Sequence, residues 1–455
     1  MVKRLRIEEN VLMDLRPTEQ ERDHLCGLAR RLLAAITQSG KAEGMVVGSI
    51  ARHTWVRGDR DLDVFMLFDP GLSRNDLETE GLALARSIAT SFTDRFHEKY
   101  AEHPYINATI DNVDVDLVPC YNVDSATRIQ SAVDRTPFHT RYITDKIDGL
   151  IDDVLLLKQF TKAGGIYGSD QMTEGFSGYL CELLVLNYGG FTPLIHEAAS
   201  WRPGIVIDIE KHAAKKFEEP LIVIDPVDPK RNVAAAVSLD RMAGFVELAR
   251  EYGEKPSTEF FLHPMERCIL KKELAARIAQ RRTFVFAITF ATPQYIPEIV
   301  VPQLKRSVSA IRELLERNGF TVHHASYDMQ SVECMFLFEL LVADLPAIRR
   351  HLGPPIWNHI NADKFREKHR AKHKSQPFIE DGRYVMEVPR EYQTAKSLLS
   401  SEALVGVSLG KHVRQSLELG WTLHEGSECW KDVFAPFIAE FFDQGSPLSR
   451  IRRER

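Results

Sequence analysis

The sequence has no run of about 18 apolar residues, which excludes a hydrophobic helix spanning a bilayer. Its opening stretch, MVKRLRIEENVLMDL, is charged on both sides of its few apolar residues and lacks a small-residue cleavage site, so no signal peptide is read there. The six cysteines (Cys26, Cys120, Cys181, Cys268, Cys334 and Cys429) are scattered. None forms the CxxC pair of a zinc site, and reduced thiols in an intracellular, cytoplasmic protein are the plain expectation. A basic excess is missing too: 58 Lys and Arg against 64 Asp and Glu give a formal charge of −6. That is not the overall footprint of a nucleic-acid binder, although a local basic face can still do the binding. There is no internal repeat and no low-complexity linker.

What remains is an ordinary soluble composition at a length, 455 residues, that exceeds one core and implies two to four domains. Thr18 followed by Glu21 reads as a capping box, and Leu25, Leu28, Ala29, Leu32 and Leu33 continue it as a helix. Met45-Val46-Val47 is a short strand ending at Gly48-Ser49, and 62–68 is a second, closed by Asp69-Pro70-Gly71. A helix is expected from Asn75 to about Tyr100. Strands follow at 105–110 and 113–118, joined at Asp111-Asn112. From about 145 to 188 the pattern is helical, with a strand at 221–224 and a helix near 239–252. Further on, 283–290, 301–318, 320–326 and 333–341 read β-α-β-β, a second α/β unit with an antiparallel sheet. Gly319 stands where a left-handed helix cap is favoured. The whole is α+β, or mixed α/β, and multidomain.

The chemistry concentrates between Val46 and Phe65. A strand delivers Gly48-Ser49 into a helix start, where free backbone amides and a hydroxyl suit a phosphate. Asp61 and Asp63 lie two apart on the next strand, so both face one side while Leu62 and Val64 face the core. Two such carboxylates repel each other unless a cation sits between them, and hard oxygen ligands beside a phosphate site suit Mg²⁺. A second acidic strand, Val113-Asp114-Val115-Asp116-Leu117, alternates in the same way and can complete a two-metal site. Periodicity alone does not choose between Asp114 and Asp116. A lone Gly-Ser turn is usually only a turn and a lone Asp-x-Asp usually a solvated face; it is their order together that points to nucleotidyl transfer.

Gly-Ser, eleven residues, then Asp61-Leu62-Asp63 resembles the signature of the polymerase-β-like nucleotidyltransferases. Longer blocks (Gly48–Phe65, 101–105, Val115–Tyr121, Ser131–His139, Gly165–Gly168, Gly175–Leu180 and Asp225–Ala235) are similar to the archaeal, class I, CCA-adding enzymes. They keep their order and spacing over most of the chain, most closely before residue 240. The resemblance implies a nucleotidyltransferase head (1–143), a mostly helical neck that selects the nucleotide (144–257) and an α/β body and tail that binds tRNA (258–455). It implies addition of C, C and A to the tRNA 3′ end from CTP and ATP, and a homodimer. Carried over by position, Asp61, Asp63 and Asp116 hold Mg²⁺, with Asp116 helping to activate the 3′-hydroxyl. Gly48, Ser49, Arg52, His139, Lys158, Tyr167 and Arg231 bind the nucleotide. Relatives often carry Glu where this chain has Asp61, and Asp59 is a competing acid nearby. Taken alone, Arg52 reads as a surface ion pair, His139 as a packed histidine, Lys158 and Lys162 as a solvated face and Tyr167 as a packing residue. For Arg52, His139, Lys158 and Tyr167 the family match tips the balance.

Of two basic segments, 364–374 and 450–455, each with the plainer reading of a solvated charge run, the first is favoured for RNA-backbone contacts. Competing functions are a poly(A) polymerase or oligoadenylate synthetase, which share the signature, and an RNA-binding protein with a degenerate transferase domain, which the intact Asp61, Asp63 and Asp116 set disfavours.

Overall fold

The computed structural model describes residues 4–100, 104–263, 267–369 and 376–452. The chain divides into two units, Met1–Met265 with Gly445–Arg455, and Glu266–Gln444.

The first unit begins with α1 (Arg6–Leu15), which the apolar spacing had not singled out, and α2 (Glu19–Gln38). Thr18 caps α2 as the sequence predicts: its hydroxyl accepts from the Glu21 amide at 3.1 Å and Glu21 returns the bond to the Thr18 amide at 2.8 Å. Next come β1 (Glu43–Val47), a single turn α3 (Gly48–Ala51), β2 (Asp61–Phe68), α4 (Arg74–Phe92), β3 (Phe96–Tyr100), β4 (Pro104–Ile110) and β5 (Val113–Tyr121). The helix expected to reach Tyr100 therefore stops at Phe92. Residues 96–100 instead pair antiparallel with β4 as an edge strand of mostly exposed residues, without the alternation that marks a half-buried strand. Asp111 and Asn112 both have positive φ, 52° and 62°, the geometry of a tight two-residue hairpin.

The sheet order is β1-β2-β5-β4-β3, and only the β2–β5 pair is parallel. One face, with Leu62, Val64, Met66, Phe68, Val115 and Leu117, packs on α2 and α4. The other holds a smaller apolar cluster of Val47, Phe65, Leu67, Val118 and Cys120. That second face carries the acidic residues at its open end.

Helices α5 (Thr136–Lys146), α6 (Ile151–Ala163), α7 (Gly178–Tyr188), α8 (Phe191–Ala198) and α9 (Leu239–Glu254) follow, with a three-stranded sheet of β6 (Ile205–Ile207), β7 (Leu221–Asp225) and β8 (Asp228–Asn232). α6 and α7 are buried on most sides, with Lys158, Gln159 and Thr161 of α6 and Glu182 of α7 enclosed among their apolar residues. Phe160 at their centre is surrounded by Phe191, Phe245, Tyr252, Phe260 and Phe261.

The second unit contains α10 (Lys271–Arg281), β9 (Phe284–Ala291), α11 (Pro297–Arg317), β10 (Thr321–Met329), β11 (Glu333–Val342), β12 (Ile348–Pro355), α12 (His359–His369), β13 (Phe378–Glu380), β14 (Arg383–Pro389), α13 (Ala395–Leu399), α14 (Lys411–Leu419), β15 (Thr422–Glu425) and α15 (Ala435–Phe442). Its main sheet, β10-β11-β9-β15, is antiparallel as the β-α-β-β reading requires. Gly319 has φ +97°, and the Gly319 amide bonds back to the Glu316 carbonyl at the end of α11. The last helix, α16 (Pro447–Arg452), returns to the first unit, with Pro447 against Gly244 of α9. Among the described residues no helix is long and apolar enough to cross a membrane.

Candidate active site

The parallel pairing of β2 with β5 places Asp61 opposite Asp114 and Asp63 opposite Asp116. Residues paired in register share a face, so the alternation read within each strand becomes a two-by-two patch of carboxylates across both. Leu62, Val64, Val115 and Leu117, on the other side, are at most 1 % exposed. Within the patch Asp61 and Asp114 are exposed, whereas Asp63 and Asp116 are half-buried. Asn107 of β4 donates to Asp116 Oδ1 at 2.6 Å, which fixes that oxygen.

Crowding is visible in the acidities. Burial, with Asp116 and Asp61 alongside, pushes the Asp63 carboxyl up to about 7, while Arg52 pulls the other way. Burial together with Asp59, Asp114 and Asp116 also raises Asp61. Asp59 itself is engaged by Lys162, 3.0 Å from its Oδ2, so the nearby acid is neutralised locally. Among the described residues no three His, Cys, Asp or Glu side chains close into a metal cage. The carboxylates lie along one face instead. Hard oxygen donors that repel one another are nevertheless the donor set a divalent cation would relieve.

The Gly48 turn sits directly over this patch. Gly48 has φ +73°, and a Cβ there would collide with the Asp63 carboxylate. Only glycine lets the turn approach so closely. Ser49 follows in the first turn of α3, half-buried.

Arg52 is not a surface residue. It is 7 % exposed, and its Nε donates to Glu182 Oε1 of α7 at 2.9 Å. Lys158 is 2 % exposed; its Nζ donates to the Thr54 carbonyl at 2.7 Å. Burial lowers its pKa against the opposing pull of Glu182. Tyr167 lies beside it: a Cβ on Gly178 would meet the Tyr167 hydroxyl at 3.1 Å and Lys158 Cε at 3.4 Å. Lys162, one helical turn on, covers the Tyr167 ring at 5.2 Å. The solvated-face reading of the two lysines therefore fails: the fold turns both inward.

A third group gathers on Asp225 at the end of β7. Its Oδ2 accepts from Arg231 Nη1 at 2.8 Å and lies 2.9 Å from His139 Nε2, while its Oδ1 takes the Val227 amide at 3.0 Å. Burial pushes this carboxyl up, but His139, the Val227 amide and Arg231 together hold it below its usual range. The His139 ring stacks on Tyr179, centroids 4.2 Å apart, and burial lowers its pKa. Arg231 also lines a cleft of about 620 Å³ with Arg135, Ser177, Lys215, Phe217 and Lys230.

All ten candidate residues thus fall in the first unit, in three groups: Asp61, Asp63 and Asp116 with Gly48 and Ser49; Arg52, Lys158 and Tyr167; His139 and Arg231. Sequence reasoning missed Asn107, Glu182, Asp225 and Tyr179. Asp225 stands at the head of the Asp225–Ala235 block and could have been taken from it. Asn107 and Glu182 carry no local signal. Of the basic segments, Lys364, Arg366 and Lys368 are exposed on α12, whereas 370–374 and 453–455 lie outside the described residues, as do 101–103. Arg452 pairs with Glu251.

Three family models match the chain: a nucleotidyltransferase domain over residues 29–139, the second domain of tRNA nucleotidyltransferase over 152–262, and the C-terminal domain of CCA-adding enzyme over 281–426. The CCA-adding enzyme of Methanoregula boonei is 67% identical over 453 residues, covering 99% of this chain and 98% of its own. That of Methanosarcina barkeri is 42% identical, covering 92% and 93%. Among solved structures, the Cid1 poly(U) polymerase with Mg 3′-dATP bound aligns with 56% of this chain and 97% of its own at 16% identity and a TM-score of 0.45.

Proposed function

Because this chain belongs to the archaeal CCA-adding enzyme family, we propose that Asp61, Asp63 and Asp116 form the centre of its nucleotidyl transfer. The reaction is the addition of C, C and A to the 3′ end of tRNA, from CTP and ATP, with release of pyrophosphate. The observation that carries the assignment is the parallel register of Asp61 and Asp63 with Asp114 and Asp116 beneath the Gly48 turn.

Nucleotidyltransferase domains use divalent metal ions, and here Asp61, Asp63 and Asp116 would hold Mg²⁺. When bound, Mg²⁺ neutralises the triphosphate and favours the deprotonated 3′-hydroxyl. Asp116, fixed by Asn107, is placed to take part in activating that hydroxyl. The hydroxyl oxygen bonds to the α-phosphorus as the bond to pyrophosphate breaks. Gly48 and Ser49 present amides and a hydroxyl to the phosphates. Arg52 and Lys158 supply positive charge, and Tyr167 lies beside Lys158 to pack on the nucleotide. His139 and Arg231, both tied to Asp225, bind the nucleotide, Arg231 with a further part in choosing C or A and in meeting the primer phosphate.

The division of labour follows the same reading: a catalytic head (1–143), a neck for nucleotide selection (144–257), and a body and tail (258–455) holding tRNA through backbone contacts that include the exposed face of α12. The enzyme works as a homodimer in the cytoplasm.

A nucleotide-omission assay on tRNA lacking its CCA end tests the reaction. CTP alone should extend it and stop after the second C; ATP alone should add nothing; both together should restore CCA. Addition of A without prior C, or long homopolymers, would overturn the reading in favour of a poly(A) polymerase.

A further inference from the structure

Glu182 is fully buried, yet its carboxylate is only half satisfied. Oε1 accepts from Arg52 Nε at 2.9 Å and from the Thr54 hydroxyl. Oε2 is buried with no hydrogen-bond partner. A buried charge left partly unpaired is costly, and such a group persists only where something else compensates. The compensation here is cationic. Arg52 bonds it directly, and Thr54 bridges it to Lys158, because the Thr54 carbonyl accepts from Lys158 Nζ while the Thr54 hydroxyl donates to Glu182. Two buried cations thus share one buried anion, which leaves a net positive charge.

The way the anion is used is informative. Glu182 takes Arg52 by its Nε edge, and Arg52 Nη1 stands 3.4 Å from the Thr140 hydroxyl. A guanidinium held by Nε has its planar fork oriented before any ligand arrives. Gly178, at the start of the helix that carries Glu182, lets that helix approach Lys158 and Tyr167 closely: a Cβ there would stand 3.1 Å from the Tyr167 hydroxyl and 3.5 Å from Lys158 Nζ.

We propose that Glu182 is a positioning residue for nucleotide binding: it stands in for the missing negative charge beside Arg52 and Lys158 and fixes both cations in the orientation that grips the triphosphate. This rests on the reading of Arg52 and Lys158 as triphosphate ligands. Glu182 acts through phosphate contacts, so it serves CTP and ATP alike and leaves the choice between them untouched.

The test is equilibrium binding of CTP and of ATP, with Mg²⁺, to Glu182→Gln, Arg52→Ala and the double variant, alongside tRNA binding. Gln keeps the shape and an acceptor for Arg52 but removes the charge. Glu182→Gln should weaken both nucleotides by the same factor, about tenfold for a charge-assisted contact, and leave tRNA affinity unchanged. In the Arg52→Ala background the further loss should shrink to about twofold or less, because coupled residues are not additive. Should Glu182→Gln fail to fold, Thr54→Val removes only the bridging hydroxyl and should weaken both nucleotides about threefold. The proposal is overturned if Glu182→Gln binds both nucleotides normally while Arg52→Ala does not. Losses that simply add, or that extend equally to tRNA, would equally overturn it and leave Glu182 a structural residue. If Arg52→Ala and Lys158→Ala also bind nucleotide normally, the failure lies in the underlying ligand reading instead.

Discussion

The carboxylate patch on β2 and β5 and the cationic pocket around Arg52 and Lys158 lie in the same unit but are built on opposite terms. The patch is partly open, carries one sign of charge and is unbalanced: Asp63 is driven up to about 7 by burial and its acidic neighbours. The pocket is closed and carries both signs of charge with the cations in excess, Arg52 and Lys158 being held through Glu182 and Thr54. A region that stores repulsion is completed by a cation and does chemistry. A region that stores oriented positive charge receives an anion and sets affinity. The two should therefore fail differently when cut.

The largest effect is expected in the patch. Asp63→Ala should lower kcat by roughly 10³-fold or more, because it removes a ligand that acts on the reacting atoms. Single-turnover incorporation of CMP measures this, and tRNA affinity should be nearly unchanged. Turnover near the parental rate would refute the metal assignment.

In the pocket the loss should move to KM. Lys158→Ala should raise KM for CTP and ATP together by roughly 10- to 100-fold, the usual cost of removing one member of a buried charge cluster. Steady-state titration of each nucleotide separates this from a kcat defect. A pure kcat loss would erase the distinction between the regions.

The smallest effect concerns stability. An acid whose folded pKa is raised binds a proton that the unfolded chain has released, so stability falls as pH rises from the ordinary carboxylate range, about 4, to the folded value near 7. Asp63→Asn should thus stabilise the metal-free protein at pH 8, by on the order of 1–2 kcal/mol. The gain should vanish at about pH 3, below the ordinary carboxylate value, where the Asp63 carboxyl is protonated in the folded and the unfolded chain alike. Thermal unfolding in chelator at the two pH values checks it. Equal shifts at both pH values would mean that charge is not the cause.

The patch was also the more legible region. Strand alternation on two short segments places Asp61, Asp63, Asp114 and Asp116 on shared faces, since the period of a strand is local. The capping box at Thr18 and Glu21, the hairpin at Asp111-Asn112 and the cap at Gly319 were legible for the same reason. The pocket was not. Arg52 and Glu182 are 130 positions apart, and their pairing exists only once the chain brings α7 beside the end of α3. Lys158 and Lys162 look like a solvated face on α6 because helical spacing says which residues share a side, not what covers it. Asn107 gives no sign in the sequence that it will hold Asp116. The strand at 96–100 was lost because an exposed edge lacks the apolar alternation that reveals a strand.

Register, not periodicity, separates the two acids of β5: Asn107 holds Asp116 beside half-buried Asp63, whereas Asp114 is exposed opposite Asp61. The decisive measurement is therefore single-turnover CMP incorporation by Asp116→Asn and Asp114→Asn side by side. Asp116→Asn should lose roughly 10³-fold and Asp114→Asn about threefold or less. Equal losses, or the reverse order, would contradict the placement of the metal on Asp61, Asp63 and Asp116.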